Sequence, residues 1–471
     1  MSTNPTSTPA VPSDRFRGYK GRALDLLKQF DVGVWSLATV KTTRGTVEGL
    51  ILPRSETFDD LHVVLKLDSG YNVGLDVATI EDMREKAFRK ADYRIPEREV
   101  PRNPDLPDVK LLGTGGTIAS RLDYRTGAVI PSFSPGELYG AVPELAEICN
   151  LNTEKIYGIF SENMSREQYI GAALKCGEAI KAGYKGIVIG HGTDTMGHTA
   201  AVLGYMVQRS PIPIIMVGSQ RSSDRPSSDA ALNLIHAVTA AGHGPIAETL
   251  VCMFGPTSDE YGLLHRGTRV RKMHSSYRST FRTIGDIPVA MVTREHVIPL
   301  RDDYNPRRDD TDVTIDAVFD DRVTLLWFYP GMKPDLMKAM VDLGYRGIVI
   351  GGTGLGHVNR PMYEALKYAQ DKGVHVFMTV QTLWGYVQMY VYETGREMME
   401  LGVIPAGNML PEAAYMKLCW VLAHTDDRDE VKRLMLTPVA SEITEREPHD
   451  GYLVYQGGIP EVEEFVSRHL K

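Results

Sequence analysis

After about residue 108, the pattern of apolar and polar positions becomes regular, and strand-like runs alternate with segments of helical spacing. Such pairs of an apolar run and a helical pattern lie at 109–113 and 135–148, at 186–190 and 195–208, and at 213–218 and 228–240. Further strand-like runs lie at 323–330, 347–351 and 375–380. This alternation predicts a doubly wound α/β fold, in which ligands bind at the carboxyl ends of the parallel strands.

The first hundred residues follow a different pattern. Short β-branched runs at 32–40, 46–53 and 61–67 are separated by polar or glycine-containing turns. These runs predict a small sheet or β-barrel. The segment 80–91 combines charged residues with apolar ones at helical spacing, and we expect it to form one amphipathic helix.

Length and shifts in composition divide the chain into several parts. A chain of 471 residues is too long for one ordinary core. A charged, proline-punctuated linker spans 94–108, and an acidic stretch at 299–321 bridges two α/β domains. We expect a disordered leader at 1–14, a small β-rich domain at 15–100, an α/β domain carrying the active site at 108–300, a smaller α/β domain at 322–437 and a tail at 438–471.

Charge and cysteine content argue against several function classes. The net charge of −8 disfavours nucleic-acid binding driven by bulk charge. The apolar runs fall short of the roughly 20 residues that a membrane-spanning helix needs, so we expect no membrane association. The four cysteines form no CxxC pair, which disfavours a zinc or redox site. We expect buried free thiols, in particular at Cys176 and Cys419, and a cytoplasmic location.

A glycine-threonine turn follows the first strand-like run. Gly115 and Gly116 permit a tight turn and a close approach of the backbone to a ligand. The hydroxyl of Thr117 could then attack an amide carbon, provided that a neighbouring base activates it. An ordinary strand–helix turn explains the same residues. A phosphate-binding loop is disfavoured because no Gly-Lys-Ser/Thr pattern follows.

A second hydroxyl and a carboxylate, on Thr193 and Asp194, follow the run 186–190. A lysine that is neutral part of the time can accept a proton from a hydroxyl, and a carboxylate can hold that lysine in place. Lys272, in the basic run 265–282, is the candidate. A helix N-cap explains Thr193-Asp194-Thr195 equally well. A solvated surface loop explains the basic run.

Ser161 and Glu162 form a third polar group behind an apolar run. A hydroxyl and a carboxylate there can bind the carboxylate and the ammonium group of an amino acid. The alternative is a helix N-cap that precedes the helical pattern from 165 onward.

Together these motifs resemble the asparaginase/glutaminase family of threonine amidohydrolases. Residues 115–119 and 191–196 are similar to its two threonine signatures, and the resemblance covers roughly 108–437. Residues 48–54, 70–74 and 160–164 resemble one branch, the D-type subunits of the archaeal glutamyl-tRNA(Gln) amidotransferases. The resemblance implies a two-domain, asparaginase-like parallel-sheet core preceded by a small all-β N-terminal domain.

The resemblance also implies site residues. Thr117 would be the nucleophile, activated through Thr193, Asp194 and Lys272, while Ser161 and Glu162 would bind the α-groups of the substrate. Tyr124 is near the nucleophile, but its spacing departs from that of the family's mobile tyrosine. No metal ligand is implied.

The implied reaction is the hydrolysis of glutamine to glutamate and ammonia. The ammonia would pass to a partner, the E-type subunit of the amidotransferase, which uses ATP and Mg to convert Glu-tRNA(Gln) to Gln-tRNA(Gln). This chain would bind no cofactor itself, contact the tRNA mainly through the partner, and self-associate into a dimer core.

Two other functions stay open at this point. One is a free-standing cytoplasmic L-asparaginase with an appended domain, which the first hundred residues and Glu162-Asn163 disfavour. The other is a non-catalytic assembly scaffold, which the complete set of Thr117, Thr193, Asp194 and Lys272 disfavours.

Overall fold

The computed structural model describes residues 15–54, 59–67, 72–88, 101–115, 120–123, 128–131, 138–139, 142–221 and 228–448. The chain divides into two compact units. One takes in the chain up to residue 95 together with 121–130 and 224–227, and the other takes in the remainder.

The first unit is built on a five-stranded antiparallel sheet. Its elements are α1 (Gly21–Gln29), β1 (Ser36–Thr42), β2 (Gly45–Ile51), β3 (His62–Lys66), β4 (Asn72–Asp76), a 3-10 turn at Val77–Thr79, and β5 (Ile80–Phe88). The strand order is β4-β3-β2-β1-β5. Alternate side chains of β1 and β3, including Val40 and Leu65, are buried in one core with Leu27 of α1. The strands expected between 32 and 67 are therefore confirmed, whereas α1 occupies a stretch for which no element was predicted.

The helix expected at 80–91 is wrong. Residues Ile80–Phe88 form strand β5, which pairs antiparallel with β1 in a register that places Met83 opposite Val40. The Glu, Lys, Met and Ala residues of this segment favour a helix intrinsically. Pairing with β1 and burial of Met83 outweigh that weak preference. β5 lies at the edge of the sheet, where charged side chains hinder pairing with other chains.

The second unit carries the remaining strands and helices. Its strands are β6 (Asp108–Gly113), β7 (Ser120–Asp123), β8 (Ala128–Pro131), β9 (Asn150–Lys155), β10 (Gly186–Gly190), β11 (Val207–Gln208), β12 (Ile214–Val217), β13 (Thr249–Phe254), β14 (Gly262–Arg266), β15 (Val270–Lys272), β16 (Phe281–Thr283), β17 (Ala290–Val292), β18 (Val297–Pro299), β19 (Thr314–Ile315), β20 (Val323–Trp327), β21 (Gly347–Gly352), β22 (His375–Val380) and β23 (Ile404–Pro405). β7 and β8 form a two-stranded sheet and lie mostly within 121–130, which groups with the first unit.

The helices of this second unit flank its two larger sheets. They are α2 (Leu145–Ile148), α3 (Arg166–Lys181), α4 (Met196–Met206), α5 (Ala230–His243), α6 (Pro334–Asp342), α7 (Tyr363–Asp371), α8 (Glu393–Glu400), α9 (Pro411–Val421) and α10 (Arg428–Leu436), with 3-10 turns at Ser161–Asn163 and Arg360–Met362. The expected helix at 135–148 is present as the short α2 in the part of the segment that the structure describes.

An eight-stranded sheet forms the larger α/β domain, in the order β18-β17-β14-β13-β12-β10-β6-β9. The strands from β13 to β9 run parallel to one another, while β14, β17 and β18 are antiparallel. The predicted α/β fold is confirmed, with an antiparallel edge that the sequence pattern did not reveal.

Helices cover both faces of this sheet, and the central strand β10 is accordingly apolar on each side. Ile187 and Ile189 belong to a core that includes residues of α3 and α4, whereas Val188 belongs to the core on α5. Successive side chains of a strand point to opposite faces, so a continuous apolar run is required of a strand buried on both.

The smaller α/β domain has a four-stranded parallel sheet in the order β20-β21-β22-β23. Ile348 and Ile350 of β21 pack in a core with α6 and α7. Val349 points to the opposite face and shares a core with α9 and with α4 of the larger domain. This shared apolar core joins the two α/β domains.

All four cysteines are free and buried, which confirms the expectation for Cys176 and Cys419. Burial raises the pKa of the Cys149 and Cys176 thiols to about 12. Across the described ranges, every helix is too short or too polar to cross a bilayer.

Candidate active site

The loops that follow neighbouring parallel strands meet at the carboxyl edge of the eight-stranded sheet. β10 pairs with β6 on one side and with β12 on the other, so the residues after Gly113, Gly190 and Val217 lie side by side. Thr114 joins two of these loops, because its N–H and its Oγ1 both donate to the carbonyl of Gly190 at 3.0 Å. Two of the sequence motifs therefore begin at the same place in the fold.

Lys272 brings Thr193 and Asp194 into one hydrogen-bonded group. Its Nζ donates to Oγ1 of Thr193 at 2.9 Å and to Oδ1 of Asp194 at 2.7 Å. The Lys272 side chain is 14% exposed, whereas that of Asp194 is 71% exposed. The lysine and the threonine of this group are thus shielded from solvent, whereas the carboxylate is exposed to it. We call these three residues the Lys272 relay.

The relay lysine arrives on a short two-stranded ribbon formed by β15 and β16, in which Lys272 pairs with Phe281. The preceding basic residues His265, Arg266 and Arg269 are all buried. The interpretation of this part of the run as a solvated loop is therefore wrong. Arg266 is neutralised by Glu248, whose carboxylate accepts from the Arg266 Nε at 2.9 Å.

Ser161 lies against the second motif. A Cβ on Gly192 would be 2.8 Å from the Cβ of Ser161, so a hydrogen at that position allows the close approach. Thr195 Oγ1 donates to the Ser161 carbonyl at 2.6 Å. Helix α3 begins at Arg166, and Ser161 is therefore too early in the chain to be its N-cap.

Glu162 follows Ser161 in the 3-10 turn Ser161–Asn163 and is exposed. The structure thus places Ser161 next to the Thr193 loop and leaves the Glu162 side chain available to a ligand. The α-group binding of both residues stays a prediction.

His191 is shielded from solvent and bonds to both the loop that carries Thr193 and helix α4. Its side chain is fully buried, Nδ1 lies 2.7 Å from the carbonyl of Gly192, and Nε2 lies 3.0 Å from Oγ1 of Thr199 on α4. Burial lowers the pKa of His191 to about 4, so the ring is neutral at neutral pH. A neutral ring has one donor and one acceptor, which matches a carbonyl on one side and a hydroxyl on the other.

The loop after β12 contributes residues that sequence reasoning missed. Gly218 packs against Thr193, since a Cβ there would be 2.8 Å from the Thr193 methyl group. Its carbonyl accepts from Nδ2 of Asn233 at 3.1 Å, and Asn233 also donates to the buried Asp229. The spacing of Asp229 and Asn233 at the start of a helical pattern is the signal that could have identified this support.

Thr117 and Tyr124 lie outside the described residues. The roles of both, as nucleophile and as mobile tyrosine, stay predictions.

A cavity of about 290 Å³ adjoins Ser161 and Thr195. His198, Phe319 and Tyr415 form part of its lining, so it is bounded by both α/β domains. Among the residues that the structure describes, no three His, Cys, Asp or Glu side chains are grouped so that they could hold a metal ion.

Comparison with protein families matches three segments of the chain. The N-terminal domain of asparaginase matches residues 108–304, and the glutaminase/asparaginase C-terminal domain matches 322–435. The GatD N-terminal domain matches 34–83, within the first unit.

Similar sequences and structures extend these matches. The D-type subunit of the glutamyl-tRNA(Gln) amidotransferase of Pyrococcus furiosus is 49% identical over 400 residues, covering 84% of this chain and 91% of the relative. That of Thermococcus kodakarensis is 47% identical over 440 residues, 92% of this chain and 100% of the relative.

Among solved structures, the thermostable L-asparaginase from Thermococcus kodakarensis is 32% identical with a TM-score of 0.64, and it covers 72% of this chain and 99% of its own. The L-asparaginase I from Vibrio cholerae covers the same shares at 24% identity with a TM-score of 0.61, and this likeness shows the fold alone.

Proposed function

The chain belongs to the D-type subunit family of glutamyl-tRNA(Gln) amidotransferases, and from that premise we propose that it is the glutaminase of such an amidotransferase. It hydrolyses the side-chain amide of glutamine, and the ammonia serves to convert Glu-tRNA(Gln) to Gln-tRNA(Gln). Coverage of an entire relative at 47% identity supports the assignment to this family as a whole rather than to a shared domain.

The observation that carries the chemistry is the position of the Lys272 amine between Thr193 Oγ1 and Asp194 Oδ1. A hydroxyl is a poor nucleophile until a base takes its proton. An amine within hydrogen-bond distance of a hydroxyl can accept that proton, and the adjacent carboxylate stabilises the ammonium group that forms. The geometry thus supports a proton acceptor for amide hydrolysis at this edge of the sheet.

We assign the first step to Thr117. Its oxygen attacks the carboxamide carbon of glutamine, the C–N bond breaks, and the nitrogen leaves as ammonia with the proton that Thr117 has lost. An ester between Thr117 and the glutamyl group remains. The glycines before Thr117 supply backbone N–H groups of the kind that stabilise a developing oxyanion.

In the second step a water molecule attacks the ester. The relay takes a proton from the water, the bond between Thr117 and the acyl carbon breaks, and the oxygen of Thr117 regains a proton as glutamate leaves. Splitting the hydrolysis through an acyl-enzyme gives two lower barriers in place of one.

Ser161 and Glu162 would select the substrate. The Ser161 hydroxyl can bind the α-carboxylate, and the exposed Glu162 carboxylate can bind the α-ammonium group. Glutamine and asparagine differ by one methylene, which is worth only about 1–3 kcal/mol in a pocket, so these contacts alone do not choose between the two amides.

The partners follow from the family. The relatives' name describes one component of a multi-subunit enzyme, and we propose that the acceptor of ammonia is the E-type subunit, which holds ATP and Mg and contacts most of the tRNA. We also propose that two copies of this chain form a dimer core and that this chain needs no cofactor.

A free-standing L-asparaginase is the second candidate, because the solved L-asparaginase of Thermococcus kodakarensis shares 32% identity with this chain. That structure covers only 72% of the chain, and the GatD N-terminal domain matches residues 34–83. Both facts favour the amidotransferase component. A non-catalytic scaffold is disfavoured by the intact Lys272 relay.

An ammonia-release assay separates these functions. We would measure glutamine and asparagine hydrolysis by the chain alone, with the partner, and with the partner and Glu-tRNA(Gln). The proposal expects glutamine to be the better substrate in the complex and its turnover to rise with charged tRNA. Asparagine hydrolysis that is faster and indifferent to the partner would instead establish the free-standing enzyme.

Lys272→Met links the activity to the described geometry. The matched control is Lys338→Met, which removes a lysine from a surface ion pair with Glu364 at 3.1 Å. The proposal expects the first variant to lose activity in every arm of the assay and the second to keep it. Absence of amide hydrolysis in the unaltered complex would point to the scaffold.

A further inference from the structure

The segment 437–448, here called the C-terminal strap, is bonded to both α/β domains. On the larger domain, Thr268 Oγ1 donates to the carbonyl of Ala440 at 2.7 Å. On the smaller domain, the Tyr386 hydroxyl donates to the carbonyl of Thr444 at 3.0 Å. Asn408 donates through Nδ2 to Thr444 Oγ1 at 2.6 Å and accepts the Thr444 N–H at 3.0 Å. The strap therefore joins the domains by polar contacts in addition to their shared apolar core.

Arg269 of the larger domain contacts both the strap and the smaller domain. Its side chain is fully buried, and its guanidinium donates to the carbonyls of Asn408 at 2.7 Å and Glu442 at 3.1 Å. The carboxylates of Asp286 and Glu447 lie close enough to interact with its charge. A buried cation held by backbone carbonyls has few alternative positions, because each displacement would leave the charge without partners.

A second buried ion pair holds the strap in shape. Lys417 of α9 and Glu442 form an ion pair in which both side chains are fully buried. The Glu442 carboxylate also accepts the N–H groups of Val439 at 3.0 Å and Ala440 at 2.8 Å. Between them and Glu442, Ser441 has a φ of +59°, which is unfavourable for a residue other than glycine and persists only where its surroundings impose it. The carbonyls that receive Thr268 and Arg269 are thus fixed in direction.

Arg269 immediately precedes the strand that carries Lys272. Its carbonyl accepts from the Ile284 N–H at 2.8 Å, which starts the ribbon of β15 and β16. Each strand of this ribbon has three residues, and β15 pairs with no strand of the eight-stranded sheet. A two-stranded ribbon is marginally stable alone, so its direction depends on what anchors its ends. The strap supplies one such anchor three residues before Lys272, besides the ion pair of Arg271 with Glu412 at 3.1 Å and the hydrogen bond between His265 and Thr283 at 2.8 Å.

We propose that Arg269 is a positioning residue for amide hydrolysis, which acts through Lys272 because the C-terminal strap clamps the base of the ribbon that carries it. The inference rests on the proposed role of Lys272. It extends that role to a chain of contacts that runs from Lys417 through Glu442 and Arg269 to the relay.

The test compares Arg269→Gln with Arg266→Gln in the assembled amidotransferase. Both remove a buried guanidinium from the same stretch of chain, but the Arg266 side chain bonds to Glu248 and to the Asp303 carbonyl instead of the strap. We would measure kcat and KM for glutamine per folded molecule, thermal stability, and the crystal structure of Arg269→Gln.

The expected result is a fall in kcat of about 10- to 100-fold for Arg269→Gln with little change in KM, since a displacement near 1 Å at a catalytic group costs this much. The crystal structure should show the Lys272 amine beyond hydrogen-bond distance of Asp194. Arg266→Gln should lose stability but keep kcat within about threefold.

Other outcomes overturn the inference. Two results would show that Arg269 stabilises the contact between the domains without positioning Lys272. One is an unchanged kcat per folded molecule in Arg269→Gln. The other is a crystal structure of this variant in which the Lys272 amine still bonds to both Thr193 and Asp194. If Arg269→Gln does not fold, Thr268→Val removes a single strap contact and should lower kcat by about 3- to 10-fold without changing KM. A Lys272→Met variant with full activity would refute the proposed relay itself, a result distinct from failure of the strap.

Discussion

The amine of Lys272 lies 2.7 Å from Oδ1 of Asp194, although 78 positions separate the two residues in the chain. Asp194 follows a central parallel strand, whereas Lys272 arrives on a ribbon outside the main sheet. Their contact therefore depends on the path of the chain between them, which passes through α4, β11, β12, α5, β13 and β14.

Asp194→Asn should lower kcat for glutamine by about 100- to 1,000-fold, because the amide no longer stabilises an ammonium group on Lys272 while the relay geometry is kept. KM should change little. Steady-state ammonia release measures both. Asp312→Asn is the control, since Asp312 is 68% exposed and pairs with Arg209 at 3.1 Å on the surface. Equal activity in the two variants would contradict the relay.

Thr117→Ala should abolish the acyl-enzyme as well as turnover, because no other oxygen then forms the ester. Rapid quenching followed by mass spectrometry of the intact chain would detect the glutamyl adduct in the unaltered enzyme and its absence in the variant. Thr193→Ala should slow formation of the adduct, but the glutamyl group should still be attached to Thr117. An adduct that survives in Thr117→Ala and disappears in Thr193→Ala would assign the nucleophile to Thr193.

Gly192→Ala should raise KM for glutamine by about tenfold or more, because the added methyl group meets the Cβ and Oγ of Ser161 at 2.8 and 2.9 Å and displaces that side chain. Gly74→Ala is the control, since the nearest atom to its added methyl group is 3.8 Å away. Unchanged KM in Gly192→Ala would argue that Ser161 does not contact the substrate.

Stability should fall as the pH is lowered from 7 to 5, because buried histidines, among them His191, His236 and His265, resist protonation. Burial lowers the pKa of His191 and His236 to about 4 and that of His265 to about 3. The unfolded chain takes up these protons below about pH 6.5 while the folded chain does not, so each histidine costs about 2 kcal/mol between pH 7 and pH 5.

Urea unfolding at several pH values measures this slope. His265→Gln should reduce the slope, whatever it does to absolute stability, because one buried ring that resists protonation is then absent. A slope that is the same in the unaltered chain and in the variant would contradict the assignment of the acid sensitivity to buried rings.

The four thiols should be inert in the native protein. All are buried, and burial raises the pKa of each, so the reactive thiolate is scarce at neutral pH. A colorimetric thiol reagent should label no cysteine within minutes under native conditions and all four in denaturant. Fast labelling of the native chain would show that a cysteine is accessible.

The sequence alone determined the classes of structure and the location of the motifs. A strand buried on both faces, such as Gly186–Gly190, must be apolar throughout, and its pattern is visible without a structure. Because parallel strands end at one edge, the motifs after such runs could be expected to lie near one another. The resemblance then gave these candidate residues their roles.

The intrinsic secondary-structure preference of a segment did not predict its structure where the strand that pairs with it is distant in the sequence. Residues Ile80–Phe88 have helix-forming side chains yet form a strand, because β1, some 40 positions earlier, provides the hydrogen bonds and the core for Met83. The same limit applies to the basic run before Lys272, where buried carboxylates and carbonyls, invisible in the pattern, receive Arg266 and Arg269.

Only the tertiary structure decided the contacts between residues far apart in the chain. The Lys272 relay, the approach of Ser161 to Gly192 and the clamp of Arg269 by the C-terminal strap each join residues from different elements. The physical reason is one of range: apolar spacing is set by the few residues that share a helix or strand, whereas a hydrogen bond across the fold depends on where every intervening element packs.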